Sequence, residues 1–242
     1  MRIHVINPNT TAAVTQKIAA AAQAVAAKGT EIVARQSKAG PESIEGFVDG
    51  AYSLPGLLSE VVAGEREGID GHIIACFEDP GLDAARSLAR APVIGIGEAA
   101  CLTASLIAGR FSIVTLSGIS VPAIRHNIIR YGLGERCASV RAAEVPASAL
   151  DDPKSDARER IATEIERAKA EDRAEAIVLG SAMLADLAGP LAKDHGLPVV
   201  EGISAAVKLV ESLKALGLAT SKAGGWAPPQ PKGYLRGLGL AG

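Results

Sequence analysis

Three blocks of this 242-residue chain occur twice in the same order, and that repetition limits the fold more than any other feature. Arg2 to Asn9, an apolar strand running into a polar turn, is matched by Arg110 to Ser117, displaced by 108 residues. The strand leading to Cys76 is matched by Glu175 to Ser181 at a displacement of 105 (76 to 181). Ala91 to Ala100 is matched by Leu197 to Ala206 at a displacement of 106 (92 to 198). Matches at nearly constant offset mark an internal duplication. Because short apolar runs alternate with helical periodicity, each half is expected to be α/β. The expected architecture is two lobes related by a pseudo-twofold axis, each a four-stranded parallel sheet flanked by helices. In open α/β sheets ligands lie beyond the carboxyl ends of the strands, so two such lobes facing each other enclose one site in the cleft between them.

Local signals fill in the halves. Arg2 to Ile6 reads as a buried strand, and Val14, Ile18, Ala22 and Val25 as one face of a helix closed by Gly29. A strand from Glu31 to Arg35 enters a long aperiodic connection, 37–54, of the kind that carries function. A helix is expected from Pro55 to Gly68, with further strands at Gly71 to Ala75 and Pro92 to Ile96. The second half repeats the pattern, with strands at 110–117, 139–145, 175–181 and 197–201. Asp152-Pro153 is expected to open a long charged helix. The glycine-rich stretch from Gly217 to Gly242 reads as coil, either a loose tail or a cover that packs Trp226 and Tyr234 over the body or a neighbouring subunit.

Cys76 stands where an apolar strand gives way to a turn and then to a helix over Leu82 to Ala89, with Asp79 read as its N-cap and Pro80 as its first residue. Free N–H groups of such a turn and the positive helix end favour thiolate, so a thiol pKa below the usual ~8.5 is expected. The duplication sets Ser181 opposite Cys76. One group on each face of a small substrate is what stereoinversion at a carbon acid requires: one removes the proton, the other returns it to the opposite face. The enolate oxygen then needs preorganised donors, which the turns Asn7-Pro8-Asn9-Thr10 and Thr115-Leu116-Ser117 are placed to supply. Ile44 and Glu45 in the long connection are candidates for the substituent pocket, and Phe77 and Ala182 adjoin the two facing groups. Glu98, at a helix start after Gly95-Ile96-Gly97, either bonds a ring N–H in the crevice or caps its helix.

A net charge of -2 without like-charged blocks gives no footing to nucleic acid or an anionic membrane. No apolar run has membrane-spanning length and no leader pattern opens the chain, so a cytoplasmic location is expected. Cys76, Cys101 and Cys137 lack metal-type spacing and read as free thiols, with Cys101 in a helix core and Cys137 in a loop. His4 and His72 fall in buried strands and read as structural, so no metal site is expected. With no phosphate loop or lysine-centred motif, the expected cofactor set is none.

Ile6-Asn7-Pro8-Asn9-Thr10, Ser43-Ile44-Glu45-Gly46, Ala75-Cys76-Phe77-Glu78-Asp79-Pro80-Gly81, Val178-Leu179-Gly180-Ser181-Ala182-Met183 and Thr220-Ser221-Lys222 together resemble the aspartate/glutamate/hydantoin racemase superfamily, and within it the hydantoin racemases. The likeness runs over the whole length, in order. It implies a cofactor-independent homo-oligomer that inverts C5 of 5-monosubstituted hydantoins, with allantoin racemase in the same branch. It also implies that the last helix returns to the first lobe, dividing the chain into 1–97 plus 206–242 and 98–205. The family carries cysteine at both facing positions, the second in Leu-Gly-Cys, whereas this chain has Leu179-Gly180-Ser181. A serine hydroxyl is a far weaker acid than a thiol, so impaired turnover is expected, from an engineered Cys→Ser change or in a native one-cysteine enzyme. Rival readings on the same scaffold are a single-cysteine isomerase of the maleate isomerase type and a decarboxylase of the arylmalonate type; a two-lobed solute-binding protein is the non-catalytic alternative.

Overall fold

The computed structural model describes residues 1–152 and 154–230. The first half builds strands β1 (Arg2–Asn7), β2 (Glu31–Gln36), β3 (Gly71–Ile74) and β4 (Val93–Gly95), and the second half β5 (Phe111–Thr115), β6 (Cys137–Ala142), β7 (Ala176–Leu179) and β8 (Val199–Val200). They form two four-stranded sheets in the orders β2-β1-β3-β4 and β6-β5-β7-β8, the same topology twice. Every pairing is parallel. Parallel sheets are covered on both faces, which is why β7 is an apolar run and why β1 buries even its polar His4 and Asn7. The helices are α1 (Ala12–Val25), α2 (Phe47–Arg66), α3 (Leu82–Leu88), α4 (Ile96–Ile107), α5 (Val121–Arg130), α6 (Ala157–Asp172), α7 (Ala188–His195) and α8 (Gly202–Ala215). No helix among the described residues is long and apolar enough to cross a membrane.

The two halves exchange helices. Ala100, Cys101 and Ala104 of α4 pack with Phe111, Ile113 and Val178 of the second sheet. Ile203, Ala206, Val207 and Val210 of α8 pack with Ile3, Val5 and Ile73 of the first. Where the exchanged helices cross, a Cβ on Gly202 would lie 2.2 Å from the Ile96 carbonyl oxygen, so only glycine permits that approach.

Three expectations need correction. Helix α2 begins at Phe47 and holds Pro55 in its interior. Its first turns expose Phe47, Val48 and Tyr52, so the apolar periodicity that marks a buried helix begins only at Leu57 and Val61. Cys137 lies at the start of β6 rather than in a loop. The turn after Cys76 does not place Asp79 at the N-cap of α3: Asp79 and Gly81 take left-handed φ values of 43° and 65°, and α3 starts at Leu82. Of the C-terminal stretch, Thr220 bonds the Ala91 carbonyl at 2.8 Å, and Trp226 lies over the Arg86 guanidinium at 5.0 Å while its indole N–H donates to Asp83. Thus Trp226 covers the body of the first half; Tyr234 and Pro153 lie outside the described residues.

Candidate active site

A cleft of about 750 Å³ opens between the carboxyl ends of the two sheets. The residues following β3 and β7 meet there, so Cys76 and Ser181 line the same cavity from opposite lobes. Their neighbours reach across. Phe77 is buried in the core of the second lobe, and Ala182 packs against the core of the first. Each facing group is thereby fixed relative to both lobes by ordinary core packing, which provides preorganisation.

Asn9, Ile44, Glu45, Phe77, Thr115, Leu116, Ser117 and Ala182 also line the cleft. Asn7, Thr10 and Glu98 do not. The Asn7 side chain is buried and donates to Asn9 Oδ1 at 2.7 Å and to Thr15 Oγ1 at 3.0 Å, so it shapes the turn. Asn9 Oδ1 also accepts from the Thr11 N–H at 2.9 Å, so any ligand contact by Asn9 runs through its Nδ2. Thr10 ties the same turn to the loop through the Pro41 carbonyl. Glu98 is turned away to Arg86, with which it forms an ion pair. The Thr115 hydroxyl donates to the Gly180 carbonyl at 2.9 Å, so it holds the Ser181 turn and its proton is not free for an oxyanion.

The sequence reading missed two groups. Glu78 of the first lobe and Ser120 of the second line the cleft, and so do residues 144–148 with Asp151. The duplication carried a signal for the second set, because the connection after β2 and the connection after β6 occupy matched places in the repeat. Glu78 lies two residues after Cys76 in the same turn.

Cys76 departs from expectation in its electrostatics. Burial pushes its thiol well above the ordinary cysteine range, and the Glu78 carboxylate pushes it further. Burial likewise raises the Glu78 carboxyl. Asp79, fully buried, accepts the N–H groups of Gly97 (3.1 Å) and Glu98 (2.8 Å) and the Tyr131 hydroxyl (2.5 Å), so it caps α4 rather than α3. Burial lifts the Asp79 carboxyl to about 7 despite those donors. Ser181 Oγ accepts the Met183 N–H at 3.2 Å and so caps its own turn.

Fold and cleft together define a two-lobed α/β enzyme with a cysteine and a serine at matched positions across one cleft. Residues 3–210 match the Asp/Glu/Hydantoin racemase family. The chain is 46% identical to the hydantoin racemase of Rhizobium meliloti over 96% of both chains. A solved allantoin racemase from Klebsiella pneumoniae is 50% identical, covering 97% of this chain and 96% of its own, with a TM-score of 0.93. One from Pseudomonas fluorescens is 39% identical, covering 97% and 100%, with a TM-score of 0.94. The chain belongs to the Asp/Glu/Hydantoin racemase family.

Proposed function

We propose that this chain acts on C5 of 5-monosubstituted hydantoins, with Cys76 on one face of the ring and position 181 on the other. The observation that carries this reading is the pairing of Cys76 with Ser181 across one cleft. The C5–H bond breaks toward a base on one face, its electron pair delocalises into the adjacent carbonyl as an enolate, and an acid on the other face delivers a proton. Among the described residues, those lining the cleft include Glu42, Glu45, Glu78 and Glu144 but no Lys, Arg or His. An amino acid or dicarboxylate substrate would find no counter-ion there. A neutral cyclic ureide needs none, which favours this class over an amino-acid racemase or a maleate-type isomerase.

Allantoin is itself a hydantoin with a ureido group at C5. The carboxylates of the cleft suit a substituent rich in N–H donors, and the 50% identity to an allantoin racemase supports the same choice. On this reading the enzyme works without a cofactor, in the cytoplasm and as a homo-oligomer. Its lobes comprise 1–97 plus 206–242 and 98–205. Ser181 leaves the site with one working thiol. Deuterium incorporation at C5, followed separately for each enantiomer of 5-substituted hydantoins and of allantoin, tests the proposal. Rapid exchange of at most one enantiomer is expected. Equally rapid exchange of both, or exchange that survives Cys76→Ala, overturns it.

A further inference from the structure

Glu144 lines the cleft on a backbone that the second sheet holds in place. It follows β6, and the N–H groups on either side of it are tied to the exit of β5: Ala143 donates to the Thr115 carbonyl at 2.9 Å and Val145 to the Leu116 carbonyl at 3.0 Å. Ala143 and Val145 are buried in the core of the second lobe, whereas Glu144 is exposed. Its φ is 54°, a left-handed value that residues with a side chain rarely adopt. Of the other described non-glycine residues with positive φ, Arg173 ends α6 as a left-handed cap and Asp79 caps α4. Glu144 has no such local role. Its carboxylate, without a hydrogen-bond or ion-pair partner among the described residues, is left to the cleft. The space it occupies is kept by Gly118, where a Cβ would lie 2.5 Å from Glu144 Oε1. In the first lobe Ser37 makes the corresponding bond to the Asn7 carbonyl, but Lys38, which follows it, does not line the cleft. Of the other acidic residues there, Glu78 Oε1 accepts the Gly46 N–H at 2.9 Å, Asp151 pairs with Lys17, and Glu42 and Glu45 stand exposed on the long connection.

We infer that Glu144 is the residue that selects the C5 substituent, its carboxylate accepting two N–H groups of a ureido side chain. A urea presents one N–H bond from each nitrogen in parallel, on the side away from its oxygen. A carboxylate meets the pair with its two oxygens, the same bidentate match that it makes with a guanidinium. An alkyl or aryl substituent offers no donor, and seating it there takes water from the carboxylate without replacing it. The inference rests on the reading of the cleft as a hydantoin site and names the substituent that site takes.

Isothermal titration calorimetry on the full chain, with allantoin and with 5-isobutylhydantoin, tests it, and C5 deuterium exchange is followed with the same two ligands. The parent is expected to bind allantoin more tightly. Glu144→Gln replaces one carboxylate oxygen by an amide donor and should weaken allantoin binding about tenfold, while 5-isobutylhydantoin changes by less than about twofold. Gly118→Ala keeps the carboxylate but sets a methyl group where its oxygen lies, and should show the same selective loss. A general disturbance of the cleft would instead weaken both ligands alike. Equal losses with both ligands, or an unchanged allantoin affinity in Glu144→Gln, overturn the inference; if Gly118→Ala does not fold, Glu144→Gln decides alone. Selective loss of allantoin affinity without C5 exchange in any hydantoin would sink the proposed reaction and leave Glu144 as the selecting residue. C5 exchange with no selective loss would do the reverse.

Discussion

Cys76 and Ser181 occupy matched positions, yet their chemistry differs in the property that matters for proton transfer. A thiol has an ordinary pKa near ~8.5, whereas an alcohol is many units weaker as an acid, so the two faces of the cleft carry groups of very different intrinsic acidity. Ser181→Cys should therefore increase racemisation by roughly two to four orders of magnitude, measured as loss of optical rotation from either enantiomer. It should also bring the slower enantiomer's deuterium exchange up to the rate of the faster. A rate unchanged by this substitution would remove position 181 from the chemistry. The place of Cys76 was legible from a strand-to-turn pattern, and that of Ser181 from the repeat. Their electrostatics were not legible. Burial first, then the Glu78 carboxylate, raises the Cys76 thiol, and the burial depends on tertiary packing that local sequence does not show.

Among the elements, α4 shows most clearly how the repeat was modified. Its partner α8 is capped by its own Glu201, which accepts the N–H groups of Ile203 and Ser204 at 2.7 Å each. Helix α4 instead begins at Ile96 after Gly95 and takes its cap from Asp79, a residue of the Cys76 turn, which Tyr131 of the second lobe also bonds. One buried carboxylate thus ties the active-site turn, the exchanged helix and the opposite lobe together. Asp79→Ala leaves the Gly97 and Glu98 N–H groups without that acceptor and a buried tyrosine hydroxyl without its partner. It should cost about 3 kcal/mol in urea unfolding, with Asp79→Asn milder because an amide oxygen still accepts. A loss no larger than that of an exposed Asp→Ala change would show that water replaces the cap. The sequence pointed to Asp79 as a helix cap but to the wrong helix, because the left-handed φ at Asp79 turns its side chain away from α3.

The two lobes share a topology but not a core, and this difference sets how the whole molecule should respond to acid. His4 of β1 and His72 of β3 pair side by side, fully buried, with ring centroids 5.5 Å apart. A Cβ on Gly64 would lie 2.7 Å from each ring, so α2 closes over the pair with no room to spare. At the matched places the second lobe has Ser112 and Ile177, neither of which titrates. Both His4 ring nitrogens lack a hydrogen-bond partner, and burial first, then the proximity of His72 and Arg35, lowers its pKa from 6.5 to about 3. Between those values the unfolded chain binds a proton at position 4 that the folded chain refuses. The stability from keeping His4 neutral is complete above about pH 6.5 and is lost as pH falls toward 3, about 5 kcal/mol over the whole interval. Acid should accordingly open the first lobe before the second. Amide hydrogen exchange at pH 4.5 should rise in β1, β3 and α2 ahead of β5 and β7. His4→Leu keeps an apolar side chain of similar bulk, forfeits no hydrogen bond, and should flatten the pH dependence of urea stability between pH 6.5 and 4. If both lobes exchange together at low pH, or if His4→Leu leaves the slope unchanged, the histidine pair is not what limits acid stability, and the exchanged helices bind the lobes into one cooperative unit.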